Sequence, residues 1–466
     1  MKNVPANSNL LRWQLICIVA VFVNATLETM LVPALPAIRT ALDLTPSQVT
    51  WVFTALTLSA AVSLPLLGRL ADIFGSREVL AAVFVAITAG IALALFGGSF
   101  ETLLAGQALQ GLGMALVPLS VAMLSAASGD RSKLSTAPLM LAAATSTAAG
   151  LLLAGVVLRW TDYRGLFWIA LVPNVIIVLA AIVSLKSSPR AEPSQRRLDE
   201  IDWLGALWLA AALLSGLIAV TLVERVGWGA PLVLGLLAAA IVLTLLWIWR
   251  SLSSTSPIID LELLRDPAIS RTALIQAATG FGTFAAFVLV PLLIVSPTSA
   301  GGLGLNESSA AYALAPFGLA SILAPMFVAP LRKHLGAALV MIVGSVFATL
   351  APLTLAFAPN IWIVAAATGA LGFGIGMILT QTFDLVGSIV PPDRVASIGG
   401  LVYVLKMIGA AIGGQVTISF VHVEANAQSF LTGFVIATVA MLIAALAAFS
   451  LRGQQVSGAA PAVPAQ

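Results

Sequence analysis

Three ionisable side chains stand inside long apolar stretches of this sequence: Glu28, Asp384 and Lys406. An ionised side chain at the centre of a bilayer costs about 2.5–3.5 kcal/mol on insertion scales, so each of the three is expected to face protein or a water-filled cavity. A carboxylate in such a place can bind a proton or a cation, and an ammonium can bind an acid or an anion. These residues are therefore the candidates for proton and substrate coupling.

Glu28 has two possible roles. A proton and a cationic substrate can compete for a carboxylate inside the membrane, and that competition is one way to exchange the one for the other. Alternatively, the carboxylate is structural, either hydrogen-bonded to Asn24 or Thr29 on its own helix or paired with a neighbouring helix.

Lys406 could pair with an acid, bind an anionic substrate or hold two halves of the protein together. At about 1.5 Å per helical residue, Glu28 lies roughly 24 Å beyond Arg12 and Lys406 roughly 18 Å beyond Arg394, so both are near mid-membrane. Asp384 lies near the end of its apolar stretch, where a helix cap or an interfacial contact is the favoured role.

Three amides complete the set of candidate polar groups: Asn24, Gln107 and Gln110. Because an amide that faces lipid is costly, all three side chains are expected to line a cavity. For Gln107 and Gln110, hydrogen bonds between helices are an equally good explanation.

The elements that must position these residues are transmembrane helices. Of the 466 residues, 60% are hydrophobic and only 9% are charged, which excludes a soluble class of protein. The sequence contains fourteen apolar stretches of roughly twenty residues, the first over 13–34. Lipid offers no partner for backbone polar groups, and these stretches are too long for barrel strands, so we predict an all-α polytopic membrane protein.

Orientation follows from the basic residues of the short loops. If the N-terminus is cytoplasmic, seventeen Lys and Arg residues lie on the inner side and four on the outer side, with Lys406 left inside a span. Because the number of spans is even, we expect both termini to be cytoplasmic, in a plasma membrane of bacterial type.

An internal repeat predicts the domain organisation. Gly68-x-Leu70 with Gly75, after the second span, is echoed by Ala329-x-Leu331 with Gly336 after the tenth. We therefore expect two six-helix bundles, over 1–185 and 251–452, with an inserted helix pair at 203–250. A cytoplasmic linker over 186–202, rich in Pro, Ser and charge, would connect them, and 453–466 is predicted to be a disordered tail.

Several other function classes find no support in the sequence. There is no GxxxxGK[ST] phosphate-binding motif, no nucleophile and base arrangement of an enzyme, and no cluster of metal ligands around the single Cys17 or the two histidines. The net charge of +3 is too small to indicate nucleic acid as a partner. We therefore expect neither catalysis nor a cofactor or metal. For the oligomeric state, a monomer is expected.

The segment from Gly68 to Leu80 contains Asp72, Gly75 and Arg77 at fixed spacing between the second and third spans. It resembles the loop signature GxLxDxxGRKxxL of the major facilitator superfamily. The resemblance implies a secondary transporter that works by alternating access. In that family the acidic and basic residues of this loop form inner-side contacts that break and re-form, which makes Gly68, Asp72, Gly75 and Arg77 a candidate gating loop.

Further segments resemble the fourteen-span drug:H⁺ antiporter branch of that family. Residues 27–38 are similar to LDxTIVNxALPxI with Glu28 at the acidic position, and residues 107–115 to RxxQGxGxA. Residues 150–155 stand where the branch has GPxxGG, and 163–167 resemble WRWxF. The resemblance implies proton-coupled efflux of amphipathic or cationic compounds.

Two positions depart from that branch: Gln107 replaces its Arg and Leu151 replaces its Pro. In the branch the Arg is implicated in proton exchange and the Pro in antiport geometry. These replacements favour an alternative within the same fold, namely an uncoupled or differently coupled exporter of an endogenous lipid or metabolite. A membrane scaffold or sensor that transports nothing is the alternative from another class.

Overall fold

The computed structural model describes residues 6–128, 132–186, 201–254, 257, 259–389, 395–420 and 427–451. Within these ranges the regular structure consists of α-helices and short 3₁₀ segments, without a strand. This confirms the predicted all-α class.

The α-helices are numbered in chain order. They are α1 (Ala6–Ala41), α2 (Pro46–Phe74), α3 (Ser76–Phe96), α4 (Phe100–Gly111), α5 (Leu116–Ser128), α6 (Ser132–Val157), α7 (Arg164–Lys186), α8 (Trp203–Val226), α9 (Pro231–Ser253), α10 (Pro267–Val295), α11 (Glu307–Leu335), α12 (Ala337–Leu355), α13 (Ile361–Ile389), α14 (Val395–Ile418) and α15 (Ala427–Ser450).

Fourteen helical segments of the described chain are long and apolar enough to cross a membrane, which agrees with the predicted number. Helices α4 and α5 together form the fourth span, joined by a 3₁₀ segment over Leu112–Ala115. Helix α1 continues through Pro33 and Pro36 to Ala41, beyond the predicted end at residue 34. Membrane helices tolerate such prolines because neighbouring helices and local adjustments satisfy the freed backbone groups.

The two members of the sequence repeat have the same local backbone geometry. Gly75 joins α2 to α3 with φ 97°, and Gly336 joins α11 to α12 with φ 79°. Each donates its backbone N–H to the carbonyl four residues earlier, of Ala71 and Arg332 respectively. Glycine is favoured at both turns because other residues rarely adopt a positive φ.

Two groups of helices are built around close helix contacts. Helix α1 packs against α6 and α7, while α10 packs against α14 and α15. The two groups meet through α2 against α14 and α6 against α11. The division into two six-helix bundles and an inserted pair stays a prediction, and its linker and tail lie mostly outside the described residues.

The contacts between the groups are tight on one side of the membrane. We call the side on which α1 begins and α15 ends the termini side, and the other side the far side. At the far side, a Cβ added to Gly414 of α14 would lie 3.3 Å from Cγ2 of Thr50 of α2. Nearby, the rings of Phe53 on α2 and Phe284 on α10 form an edge-to-face pair with centroids 6.0 Å apart.

The same helices leave open space at the termini side. A Cβ added to Gly68 of α2 or to Gly400 of α14 would meet nothing within 4 Å. Because α2 and α14 run antiparallel and meet at Leu58 and Ala411, these two glycines lie at matching heights. The structure is therefore closed at the far side, where Thr50 and Gly414 bring the two helix groups together.

Helices α8 and α9 form a hairpin tied together at the termini side. Asp202, nearly fully buried, caps α8 by accepting a hydrogen bond from the backbone N–H of Gly205 at 3.0 Å. The same carboxylate forms an ion pair of 3.0 Å with Arg250 of α9. Helix α8 packs against both α2 and α14, whereas α9 presents most of its surface outward.

Candidate functional site

Glu28 lies midway along α1 and is half-buried, so its side chain keeps accessible surface inside the helix bundle. It is within electrostatic range of Lys406 and Tyr403, which belong to α14 in the other group of helices. No ion pair within 4.0 Å joins Glu28 to Lys406, although both side chains are described. The two side chains therefore influence each other from opposite helix groups without forming an ion pair.

Lys406 and Tyr403 form one unit on α14. The ammonium of Lys406 lies 5.7 Å from the centre of the Tyr403 ring, within the range of a cation–π interaction. The Tyr403 hydroxyl lies 3.6 Å from Sδ of Met114, in the 3₁₀ segment between α4 and α5. This contact joins the two helix groups next to the Glu28 and Lys406 pair.

Close packing fixes the height of Lys406 in the membrane. Gly280 of α10 lies directly against the backbone of Lys406, where a Cβ would overlap the Lys406 carbonyl oxygen. One turn further along α14, Gly409 lies equally close to the carbonyl of Ala277. Small residues allow helix backbones to approach in this way, so the backbone of α10 packs directly against the backbone of α14 at Lys406.

The 3₁₀ segment that carries Met114 directly follows a close contact between α4 and α2. Gly111 lies directly against α2, where a Cβ would overlap the Leu56 carbonyl oxygen and crowd Ser59. The segment Leu112–Ala115 follows at once. A stretch of 3₁₀ helix inside a longer helix often marks a functional hinge. The stretch QGLGMA, recognised in the sequence as a motif, therefore forms a break in the fourth span beside the site.

The predicted structural partners of Glu28 are engaged elsewhere. Nδ2 of Asn24 donates to the Ala20 carbonyl at 2.8 Å and to Oδ1 of the fully buried Asn174 on α7 at 3.1 Å. The Thr29 hydroxyl lies 3.0 Å from the Thr26 carbonyl, on its own helix. Asn24 thus forms a hydrogen bond between α1 and α7, and its predicted role as a polar group of the cavity stays a prediction.

The predicted cavity amides Gln107 and Gln110 are both buried. Gln110 donates to the Gly106 carbonyl at 3.2 Å. Gln107 is 0% exposed, and neither of its side-chain polar atoms has a hydrogen-bond partner in the described part of the chain. Gln381 on α13 is also 0% exposed, and its two side-chain polar atoms have no hydrogen-bond partner among the described residues. It was not singled out in the sequence, although an amide in the middle of an apolar span is a recognisable signal.

We expect Gln107→Met to leave the melting temperature unchanged or to raise it. A buried polar group without a partner costs about 1–3 kcal/mol, and methionine has a similar volume without the amide. The check is a thermal unfolding curve of the purified variant beside Gln110→Met, which removes a satisfied amide and should lower the melting temperature. A clear loss of stability in Gln107→Met alone would contradict the assignment of Gln107 as unsatisfied.

The predicted gating loop lies at the termini side. Gly75 forms the turn described above, and Gly68, Asp72 and Arg77 lie within one turn or two of it on α2 and α3. Asp72 is exposed and Arg77 is half-buried. The four residues thus lie close to the α2–α3 junction, and their role in gating stays a prediction.

Asp384 lies on α13, but its side chain is outside the described part of the structure. The described residues contain no group of His, Cys, Asp and Glu that could hold a metal ion. Tyr403, Met114 and Asn174 were not singled out in the sequence, because an aromatic, a thioether or an amide in a span is more often a packing residue.

The chain belongs to the Major Facilitator Superfamily: the model of that family matches residues 17–201 and 203–414. Members of this family are transporters, so the chain is a multi-pass membrane transporter and not an enzyme. This confirms the family that was predicted from the sequence of the loop between the second and third spans.

Characterised relatives are exporters and resistance proteins. The chain is 28% identical to the cephamycin export protein CmcT of Amycolatopsis lactamdurans, over 85% of this chain and 76% of that protein. It is 26% identical to the methylenomycin A resistance protein of Bacillus subtilis, over 87% and 86%. It is 25% identical to the multidrug resistance protein Stp of Mycobacterium tuberculosis, over 82% and 70%.

Solved structures confirm the fold. An auto-inhibited POT family peptide transporter superposes with a TM-score of 0.70 at 19% identity, covering 98% of this chain and 99% of that one. The human organic anion transporter MFSD10 gives a TM-score of 0.62 at 16% identity, covering 96% and 100%.

Proposed function

We propose that this chain is a proton-coupled exporter of amphipathic compounds in a bacterial plasma membrane, with Glu28 as the group for which proton and substrate compete. The observation that carries the proposal is the position of Glu28. It is half-buried on α1, within electrostatic range of Lys406 and Tyr403 of α14 in the other helix group. Transporters built from repeated halves bind substrate and coupling ions near this boundary.

The proposed orientation has both termini in the cytoplasm, as the excess of Lys and Arg in the loops of that side favours. The termini side is then the cytoplasmic side, and the contact between Thr50 and Gly414 closes the outer side. Substrate would enter from the cytoplasm, and the export direction is supported by relatives that are an export protein and a multidrug resistance protein.

The partners in this proposal are an amphipathic or cationic small molecule, protons and the surrounding bilayer. Gly68, Asp72, Gly75 and Arg77 would form and release contacts at the cytoplasmic side as the halves rock. The amides Gln107 and Gln110 would lie beside the pathway without binding protons. The carboxyl of Asp384 would take part in proton or substrate coupling.

One observation favours a second candidate, an exporter that is not coupled to protons. Where related antiporters have Arg and Pro, this chain has Gln107 and Leu151, both fully buried. An amide cannot exchange a proton at physiological pH. In this second candidate Glu28 and Lys406 would balance each other's charge permanently.

The proposed function is tested with inside-out membrane vesicles that are acidified by respiration and hold a fluorescent pH indicator. A panel of amphipathic compounds is added to vesicles with and without the protein. Proton coupling predicts that some compounds dissipate the gradient only when the protein is present. Compound transport without proton movement would establish the uncoupled exporter, and no transport of any compound would favour a membrane scaffold.

A further inference from the structure

The charged pair between α1 and α14 has a property that a site for simple cations would not need. Glu28 and Lys406 both keep accessible surface, and no ion pair within 4.0 Å joins them. Helix α1, which carries Glu28, packs against α10 and against the 3₁₀ segment with Met114. Lys406 and Tyr403 of α14 contact these same two elements. Together they carry no net charge. A proton or a ligand with a single positive charge at Glu28 leaves Lys406 without a counter-charge, whereas a ligand that also carries a carboxylate supplies one.

We propose that the preferred substrates are zwitterions that place an ammonium group at Glu28 and a carboxylate at Lys406. Such a ligand supplies both counter-charges at once and fills the gap between them. The ring of Tyr403, held against Lys406 and fixed by Met114, would exclude water from the carboxylate end. This inference rests on the proposed function and narrows its substrate class.

The test uses three compounds that share an eight-carbon chain and differ in charge. They are the zwitterion N-octyl-N,N-dimethylglycine, the cation octyltrimethylammonium and the anion octanoate. Equilibrium binding to the purified full chain should be at least ten-fold tighter for the zwitterion than for the other two. Lys406→Met should reverse the preference toward octyltrimethylammonium, whereas Lys406→Arg should keep the preference of the parent.

An equal or tighter affinity of the parent for octyltrimethylammonium, with no change in Lys406→Met, would overturn the proposal. Failure of all three compounds to bind, while other compounds are exported with protons, would also overturn it. In both cases proton-coupled export in the vesicle assay would leave the proposed function standing. Loss of all proton-coupled export would instead refute the proposed function itself.

A second, independent observation concerns the far end of α8. The hydroxyl oxygen of Thr221 accepts hydrogen bonds from Nε1 of Trp51 on α2 and from Nε2 of Gln415 on α14, each at 2.9 Å. It donates its own hydrogen to the Leu217 carbonyl at 2.8 Å. A hydroxyl group has one donor and two acceptor positions, so Thr221 is fully used.

Apolar contacts reinforce this bridge. Leu213 and Leu217 of α8 pack with Leu58 of α2 and Ala411 of α14. Helix α8 thus lies over the seam along which the two helix groups must part if the far side is to open. Trp51 and Gln415 cannot both keep their bonds to one oxygen once α2 and α14 separate.

We infer that Thr221 is a latch by which the α8 and α9 hairpin stabilises the state closed at the far side. The test starts from a background in which the buried Cys17, the one cysteine of the sequence, is replaced by alanine. Thr50→Cys and Gly414→Cys then report closure of the far side through the rate of copper-phenanthroline cross-linking. Thr221→Val keeps the shape of the side chain and removes the hydroxyl, so we expect cross-linking about ten-fold slower.

The matched control is Thr244→Val on α9, where the exposed threonine bonds only to the Ala240 carbonyl of its own helix. Cross-linking in Thr244→Val should keep the parental rate. Thr221→Ser retains the hydroxyl and should also keep the parental rate, which would show that a change at position 221 does not by itself disturb folding. An unchanged rate in Thr221→Val, or an equal fall in Thr244→Val, would overturn the latch.

Discussion

Replacing Glu28 by glutamine is expected to reduce proton-coupled export to the level of vesicles that lack the protein. Glutamine preserves the shape of the side chain but can neither release a proton nor offer a negative charge to a substrate. Because Glu28 lies beside Lys406 across the central boundary, no other described carboxylate can take its place at that position. The measurement is substrate-driven dissipation of the proton gradient in inside-out vesicles.

The control for this prediction is Glu28→Asp, which keeps the acid and places it one methylene further from Lys406. It should retain measurable coupled export, since the branch that the sequence resembles usually has Asp at this position. Both variants should give a monodisperse protein on size exclusion. Full coupled export by Glu28→Gln would show that the proton moves through another group.

Adding one methyl group at Gly409 is expected to destabilise the protein strongly. A Cβ at this position would overlap the carbonyl oxygen of Ala277 on α10, and backbone atoms cannot move aside cheaply. Overpacking of a well-packed core typically costs about 1–3 kcal/mol. Since Gly409 is one turn from Lys406, the displacement would also shift the lysine, so Gly409→Ala should lower both the melting temperature and transport.

Gly400→Ala is the matched control, because it is the same substitution on the same helix. A Cβ at Gly400 would meet nothing within 4 Å, so this variant should keep or slightly raise the melting temperature. The comparison is made on thermal unfolding curves of the purified variants. Equal melting temperatures for the two variants would contradict the close packing of α10 and α14.

The sequence predicted the fold well because the membrane imposes a strong and local rule. Each apolar stretch must form a helix, so fourteen spans could be counted without any knowledge of their contacts. The turn at Gly75 and its echo at Gly336 were also visible, since a positive φ demands a particular residue type. Errors occurred at helix ends, as in α1, where prolines do not end a membrane helix as they do in water.

The candidate site was only partly predictable. Glu28 and Lys406 were visible as charges inside apolar stretches, because burying a charge needs a reason. That they face each other could not be read from the sequence, since this depends on which faces of α1 and α14 turn toward the boundary. Tyr403 and Thr221 were missed for the same reason: their residue types are common in spans, and only their contacts distinguish them.

The most direct test of the central claim is proton release by the purified protein on substrate binding, in weakly buffered detergent solution at a pH near neutral. If proton and substrate compete for Glu28, saturating the parent with an exported compound should release up to one proton for each molecule bound, the amount rising as the starting pH is lowered, and Glu28→Gln should release none. Binding to the parent without proton release, or equal release by Glu28→Gln, would contradict the account.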